Sequence, residues 1–123
     1  MALSKRMMAV GIPAQQALAT NGTLQTGINT GAGTTQATSY FLQADVTTAA
    51  TVAANTGVVL PNDAVPTDNV LFCNFGANAC NIYPPVGGTL HNLSVNTPLS
   101  VPVNKSIYCV CIGALTWFYQ LSA

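Results

Sequence analysis

The chain has 123 residues, half of them hydrophobic, and only 5% are charged, against about 25% in an ordinary soluble domain. Lys5, Arg6 and Lys105 balance Asp45, Asp63 and Asp68, and Glu is absent, so no net field exists to gather nucleic acid or anionic lipid. The length suits one domain with a modest core, and no apolar run approaches the roughly 18 residues needed to cross a bilayer.

At the N-terminus, Lys5-Arg6 ahead of Met7-Met8-Ala9-Val10 has the outline of a signal peptide. Gly11 and Pro13 break the apolar run too early, so export by this route is not expected. Pro13 followed by Ala14-Gln15-Gln16-Ala17-Leu18-Ala19 predicts a short helix, stopped by Asn21-Gly22. Two turns of helix are marginal alone, so residues 1–35 read as an arm that gains order by docking, with Thr23 to Gly33 as an extended connector.

Residues 36–123 read as the folded domain. A first strand is expected from about Thr35 to Asp45, and Val46 to Ala54 is read as strand or loop. Gly57-Val58-Val59-Leu60-Pro61 is a short strand ended by proline, and residues 62–68 form a turn-rich loop. Next, Val70-Leu71-Phe72-Cys73 and Ala79-Cys80-Asn81-Ile82-Tyr83 flank Phe75, Gly76, Ala77 and Asn78, which predicts a β-hairpin over Asn69 to Pro84. Both faces of that hairpin carry large apolar groups, so cover is expected on two sides, one of them from another subunit. Thr89 to Leu93 is a weak strand. Leu99, Val101 and Val103 suit an edge strand that tolerates Pro102. Ile107 to Ile112 predicts a central strand covered on both faces, and Trp117 to Leu121 ends the fold. Seven or eight short strands punctuated by Gly, Pro and Asn predict an all-β class, a small β-sandwich or jelly-roll-like domain, with no repeat at solenoid period visible.

Each of Cys73, Cys80, Cys109 and Cys111 sits in an apolar run, which favours reduced, buried thiols. A Cys73–Cys80 pair across the hairpin is geometrically conceivable, whereas Cys109 and Cys111 share a strand face; zinc spacing is missing. His91 is the single histidine and has no readable nucleophile–base arrangement. The three aspartates read as turn residues, so neither enzyme activity, cofactor nor metal is expected. Tyr83, Tyr108, Trp117 and Tyr119 offer a sugar platform, but alternating strand aromatics more simply serve as core or subunit-interface anchors. Together with Phe72 they are the subunit-interface candidates.

The segments GTTQATSYFL (33–42), GVVLP (57–61), NFGANACNIYPPVGGTL (74–90) and TWFYQL (116–121), with GIPAQQALA (11–19) ahead of them, resemble small β-structured virion proteins of tailed bacteriophages. The likeness is to capsid decoration (cement) proteins and to β-domains reused in phage fibres. It implies a homotrimer on the outside of the phage head, assembled in the host cytoplasm, that clamps neighbouring major capsid proteins. It also makes Ile12, Pro13, Gln15, Gln16 and Leu18 of the arm the capsid-contact candidates. The alternative it carries is a fibre or spike trimer binding a host-surface glycan through Tyr83, Trp117 and Tyr119.

Overall fold

The computed structural model describes residues 23–30 and 34–123. Ten strands are present among them: β1 Leu24–Asn29, β2 Tyr40–Phe41, β3 Val46–Thr51, β4 Gly57–Val59, β5 Asn69–Asn74, β6 Cys80–Tyr83, β7 Thr89–Leu90, β8 Leu99–Val101, β9 Ser106–Gly113 and β10 Thr116–Leu121. They form a six-stranded sheet, ordered β1-β3-β5-β9-β10-β7, and a four-stranded sheet, ordered β2-β4-β6-β8. The all-β expectation is met in two sheets. The path of the chain is that of a β-solenoid rather than the sandwich or jelly-roll-like domain expected.

From β1 to β6 the chain alternates between the sheets, and each strand lies parallel to its counterpart one coil earlier. Leu24, Val46 and Leu71 stand side by side, so successive coils take 22 and 25 residues. Unequal coils with different residues at the corners leave no repeat in the sequence, which is why the period goes unseen there. The last strands reverse direction: β9 runs antiparallel to β5, β10 antiparallel to β9, and β8 antiparallel to β6. They close the C-terminal end of the solenoid.

The hairpin expected over Asn69 to Pro84 does not form, because β5 and β6 belong to different sheets. The Gly/Asn chemistry between them makes a solenoid corner instead of a chain reversal. Gly76 is buried against the previous coil, and a Cβ there would lie 2.5 Å from the Val52 side chain and 2.8 Å from its backbone nitrogen. Asn74, wholly buried, holds the corner: its Oδ1 accepts from Gly76 N at 3.0 Å, and its Nδ2 donates to Asn78 O at 2.9 Å and Val101 O at 3.0 Å. β5 lies mid-sheet between β3 and β9, with Val70, Phe72 and Asn74 buried on its inner face and Asn69, Leu71 and Cys73 half-buried on its outer one.

Smaller differences have similar causes. The strand expected over Thr35 to Asp45 shrinks to a 3-10 turn, Gln36–Thr38, and the two residues of β2. The connector from Thr23 to Gly33 supplies β1, an edge strand that draws its hydrogen bonds from β3. β3, β4 and the edge strand β8 lie where the sequence places them. The short helix expected at 13–19 falls outside the described residues.

The core between the sheets is built from Phe72, Trp117, Leu42, Leu60, Ile82, Leu90, Ile107, Val58 and Val101, all essentially without solvent contact. Thr30 and Thr56, buried on successive coils, satisfy each other through a 2.8 Å hydroxyl contact. All four cysteines are free thiols, and Cys73 and Cys80 stand in opposite sheets. Burial pushes the thiols of Cys80 and Cys109 from 9.0 up to about 12.

Two outcomes follow from this core. Asn74→Ala strands the Gly76 N–H and the Val101 carbonyl, and urea unfolding should register a loss of about 2–6 kcal/mol, at 1–3 kcal/mol for each orphaned group. The raised thiols keep their protons in the folded state and lose them in the unfolded chain, so stability is full below pH 9.0 and falls as pH rises towards about 12. Unfolding midpoints measured across that window should drop less steeply for Cys109→Ala than for the parent; equal slopes would assign the loss to other groups.

Candidate interaction face

The solenoid treats its two outer faces differently. Over the four-stranded sheet, register places Phe41, Val59 and Tyr83 in one outward row. Val59 and Tyr83 are nonetheless buried, because the segment around the 3-10 turn lies across them. Gln36 Nε2 donates to Pro84 O at 2.7 Å and to Asn96 Oδ1 at 3.2 Å, while the Tyr83 hydroxyl reaches Thr34 O at 3.5 Å. The Tyr83 ring lies over Gly57, where an added Cβ would meet the ring at 2.9 Å. Over Val59 and Tyr83 this face is closed by the chain itself, while Phe41 at its edge stays 40% exposed.

Nothing among the described residues covers the six-stranded sheet in the same way. One outward row reads Leu24, Val46, Leu71, Tyr108 and Gln120 across β1, β3, β5, β9 and β10. The next reads Asn69, Val110 and Phe118 across β5, β9 and β10, and Phe118 rests its ring against His91, centroids 4.9 Å apart at 45°. Leu24 (65%), Ile112 (54%), Phe118 (46%) and Tyr108 (43%) are exposed. No charged residue falls within any of the ten strands, so the face is apolar and amide-bearing from edge to edge. A contiguous bare patch of this kind is characteristic of an interaction surface. β9 was expected to be covered on both faces; among the described residues Ile107, Cys109 and Cys111 are covered, and Tyr108 and Ile112 face outward.

Of the five subunit-interface candidates, Tyr108 alone lies in the open on this face. Phe72 and Trp117 are wholly inside the chain's own core, Tyr83 is closed over Gly57, and Tyr119 is half-buried on the inner side of β10. Ile12, Pro13, Gln15, Gln16 and Leu18 lie outside the described residues. Leu24, Ile112 and Phe118 were missed. Their signal was present in the sequence as single apolar residues on strands free of charge, but only sheet order places them together.

A cleft of about 390 Å³ opens at one corner of the solenoid, where the connections from the four-stranded to the six-stranded sheet pass. All three aspartates line it, with Phe41 at its edge and Trp117 in its wall. Two of the carboxylates hold backbone: Asp45 accepts from Thr23 N and Asp68 from Val65 N, each at 3.0 Å. Asp45 ties the first coil to the second, and Asp68 closes a turn within its own loop. Among the described residues no three His, Cys, Asp or Glu side chains converge as metal ligands.

No protein-family model matches the chain, and no curated protein matches it. The face therefore stands on its own geometry.

Outer-face and core residues should separate cleanly in unfolding experiments at low protein concentration. Phe72→Ala should cost about 3–5 kcal/mol. Tyr108→Ser and Ile112→Ser should each shift stability by no more than about 0.5 kcal/mol, the usual range for exposed sites.

Proposed function

We propose that the protein is a non-enzymatic structural component of a virion: a trimeric decoration protein on the outside of a tailed-phage head, where it stabilises contacts between major capsid proteins. The observation that carries this reading is the uncharged apolar outer face of the six-stranded sheet. Such a face gains by being covered, at about 25 cal/mol per Å² of apolar surface removed from water. It brings no buried charge whose desolvation must be offset. The virion setting is supported by the resemblance in 33–42, 57–61, 74–90 and 116–121, segments that include β2, β4, β6, β7 and β10. Decoration needs self-association plus a second contact to the shell. The sheet face serves the first and the arm candidates Ile12, Pro13, Gln15, Gln16 and Leu18 the second, with avidity multiplying weak contacts.

A fibre or spike trimer binding a host glycan is the second reading. It draws on the cleft with Asp45, Asp63 and Asp68, whose carboxylates would accept hydrogen bonds from sugar hydroxyls beside the Phe41 ring. The aromatic platform first expected for it loses Trp117, which is buried.

Mass measurement in solution should give a trimer whose thermal midpoint rises with concentration. Tyr108→Lys with Phe118→Lys should yield folded monomer. Adding the parent protein to undecorated phage shells should give saturable binding at a fixed ratio to capsid protein. A monomeric parent sinks the self-association reading, and binding to host cells but not shells turns the assignment to the fibre.

A further inference from the structure

The negative charge of the chain is gathered in one place. Asp45, Asp63 and Asp68 are the only acidic side chains in the sequence, and all three line the corner cleft of about 390 Å³. Among the described residues the single Lys or Arg is Lys105, whose Nζ donates to Ala123 O. The Lys105 carbonyl accepts from Asn74 N, at the opposite end of β5 from Asp68. The 6 residues of β5 separate the two, about 20 Å at about 3.3 Å per residue. Salt screens exposed charges from one another beyond about 8 Å. The cleft therefore carries a negative field that nothing among the described residues offsets.

Much of its capacity to accept hydrogen bonds is unspent. Asp45 and Asp68 each take one backbone N–H, at 3.0 Å, on a single oxygen. Asp63 is exposed and takes no hydrogen bond or ion pair among the described residues. A second observation concerns a donor. Trp117, in the cleft wall, is wholly buried, and its Nε1 has no hydrogen-bond partner. A buried indole N–H ordinarily finds one. The occupant that suits this cleft brings positive donors for the carboxylates and, next to them, an acceptor for the indole.

Among the described residues the aspartates do not converge as metal ligands, so a bare cation lacks its cage. A neutral sugar answers the hydrogen bonds and leaves the charge. A peptide answers both, with a Lys or Arg side chain for the carboxylates and its own carbonyl for the indole. Phe41, 40% exposed at the edge, offers a ring face to the cation. Pro61 and Ala64 line the path of the aliphatic stem. The volume lies near the lower end of the ligand-pocket range, about 300–1,000 Å³.

We propose that this cleft is a docking site for a basic peptide segment of a partner protein. A Lys or Arg side chain enters among Asp45, Asp63 and Asp68, and an adjacent backbone carbonyl accepts from Trp117 Nε1. Leu24, Tyr108, Ile112 and Phe118 take no part in its lining, so the contact is separate from the face assigned to self-association.

Trp117 is the only tryptophan in the sequence, so its indole N–H gives one resonance in a spectrum of the isotope-labelled full chain. The probes are the end-blocked peptides Gly-Arg-Gly and Gly-Glu-Gly, and methyl glucoside. The arginine peptide should move that resonance saturably, and the glutamate peptide should leave it in place. Asp63→Asn, at an exposed site with no bond to lose, should weaken the arginine peptide about threefold, the size of one exposed ion pair. Its unfolding midpoint should stay that of the parent. A resonance unmoved by millimolar arginine peptide overturns the proposal, as do equal shifts with both peptides or an unchanged affinity in Asp63→Asn. Binding of methyl glucoside in place of the arginine peptide overturns it in favour of a sugar. Mass in solution is read separately: a monomer that binds the arginine peptide keeps this site while the self-association reading falls.

Discussion

The side chain of Asn74 joins the end of a strand in one sheet to the end of a strand in the other. It ends β5 in one sheet, receives the Gly76 N–H of the corner, and donates to Val101 at the end of β8 in the other sheet. Its backbone completes the knot, with Asn74 N donating to Lys105 O at 2.9 Å and Asn104 N donating to Asn74 O at 2.8 Å. An aliphatic side chain of similar size would pack there and leave those corner groups unpaired. The corner thereby holds the third coil to the turn that precedes β9, which pairs with β5 from Asn69 to Cys73.

A chain with so few charges has to obtain specificity by other means, and this one uses short amide and hydroxyl side chains at its corners. Asn55, Asn92, Asn96 and Asn104 all take the left-handed conformation, at φ between 61° and 65°, which Asn tolerates better than most residues. Asn96 then accepts from Gly87 N at 2.7 Å and from Gln36, tying the 3-10 segment over the four-stranded sheet. Polar side chains are thus largely spent inside the chain, on its own turns. What remains outward on the six-stranded sheet is uncharged, with exposed Leu24, Tyr108, Ile112 and Phe118 among amide and hydroxyl side chains, and that side is suited to contact.

Sequence patterning locates most of the strands. Val58-Val59, Leu99 to Val101 and Ile107 to Ile112 are recognisable because β-branched residues and prolines bound them locally. The pairing of strands is a different kind of information. Residues 69–84 have every local feature of a hairpin, and nothing in that window says that Val52, one coil back, lies against Gly76 and forces the chain across to the other sheet. The same limit applies to the site. Tyr108 could be picked as an aromatic on an apolar strand, but Leu24 and Phe118 join it only through the order β1-β3-β5-β9-β10. Trp117 and Phe72 look like equally good anchors in sequence, and alternation alone does not say which side of a sheet faces solvent.

The reversed strands at the end of the solenoid have a consequence for the time course of folding. β5, in the third coil, finds its antiparallel partner only in β9, with Asn69 opposite Val110, and the largest core side chain, Trp117, arrives later still in β10. Such distant pairings make formation of the native state slow and late. The early coils lack their closing layer and the Trp117 side chain until those residues have been synthesised. Until β9 pairs with β5 and β10 with β9, the outer face of the six-stranded sheet lacks Tyr108, Ile112 and Phe118.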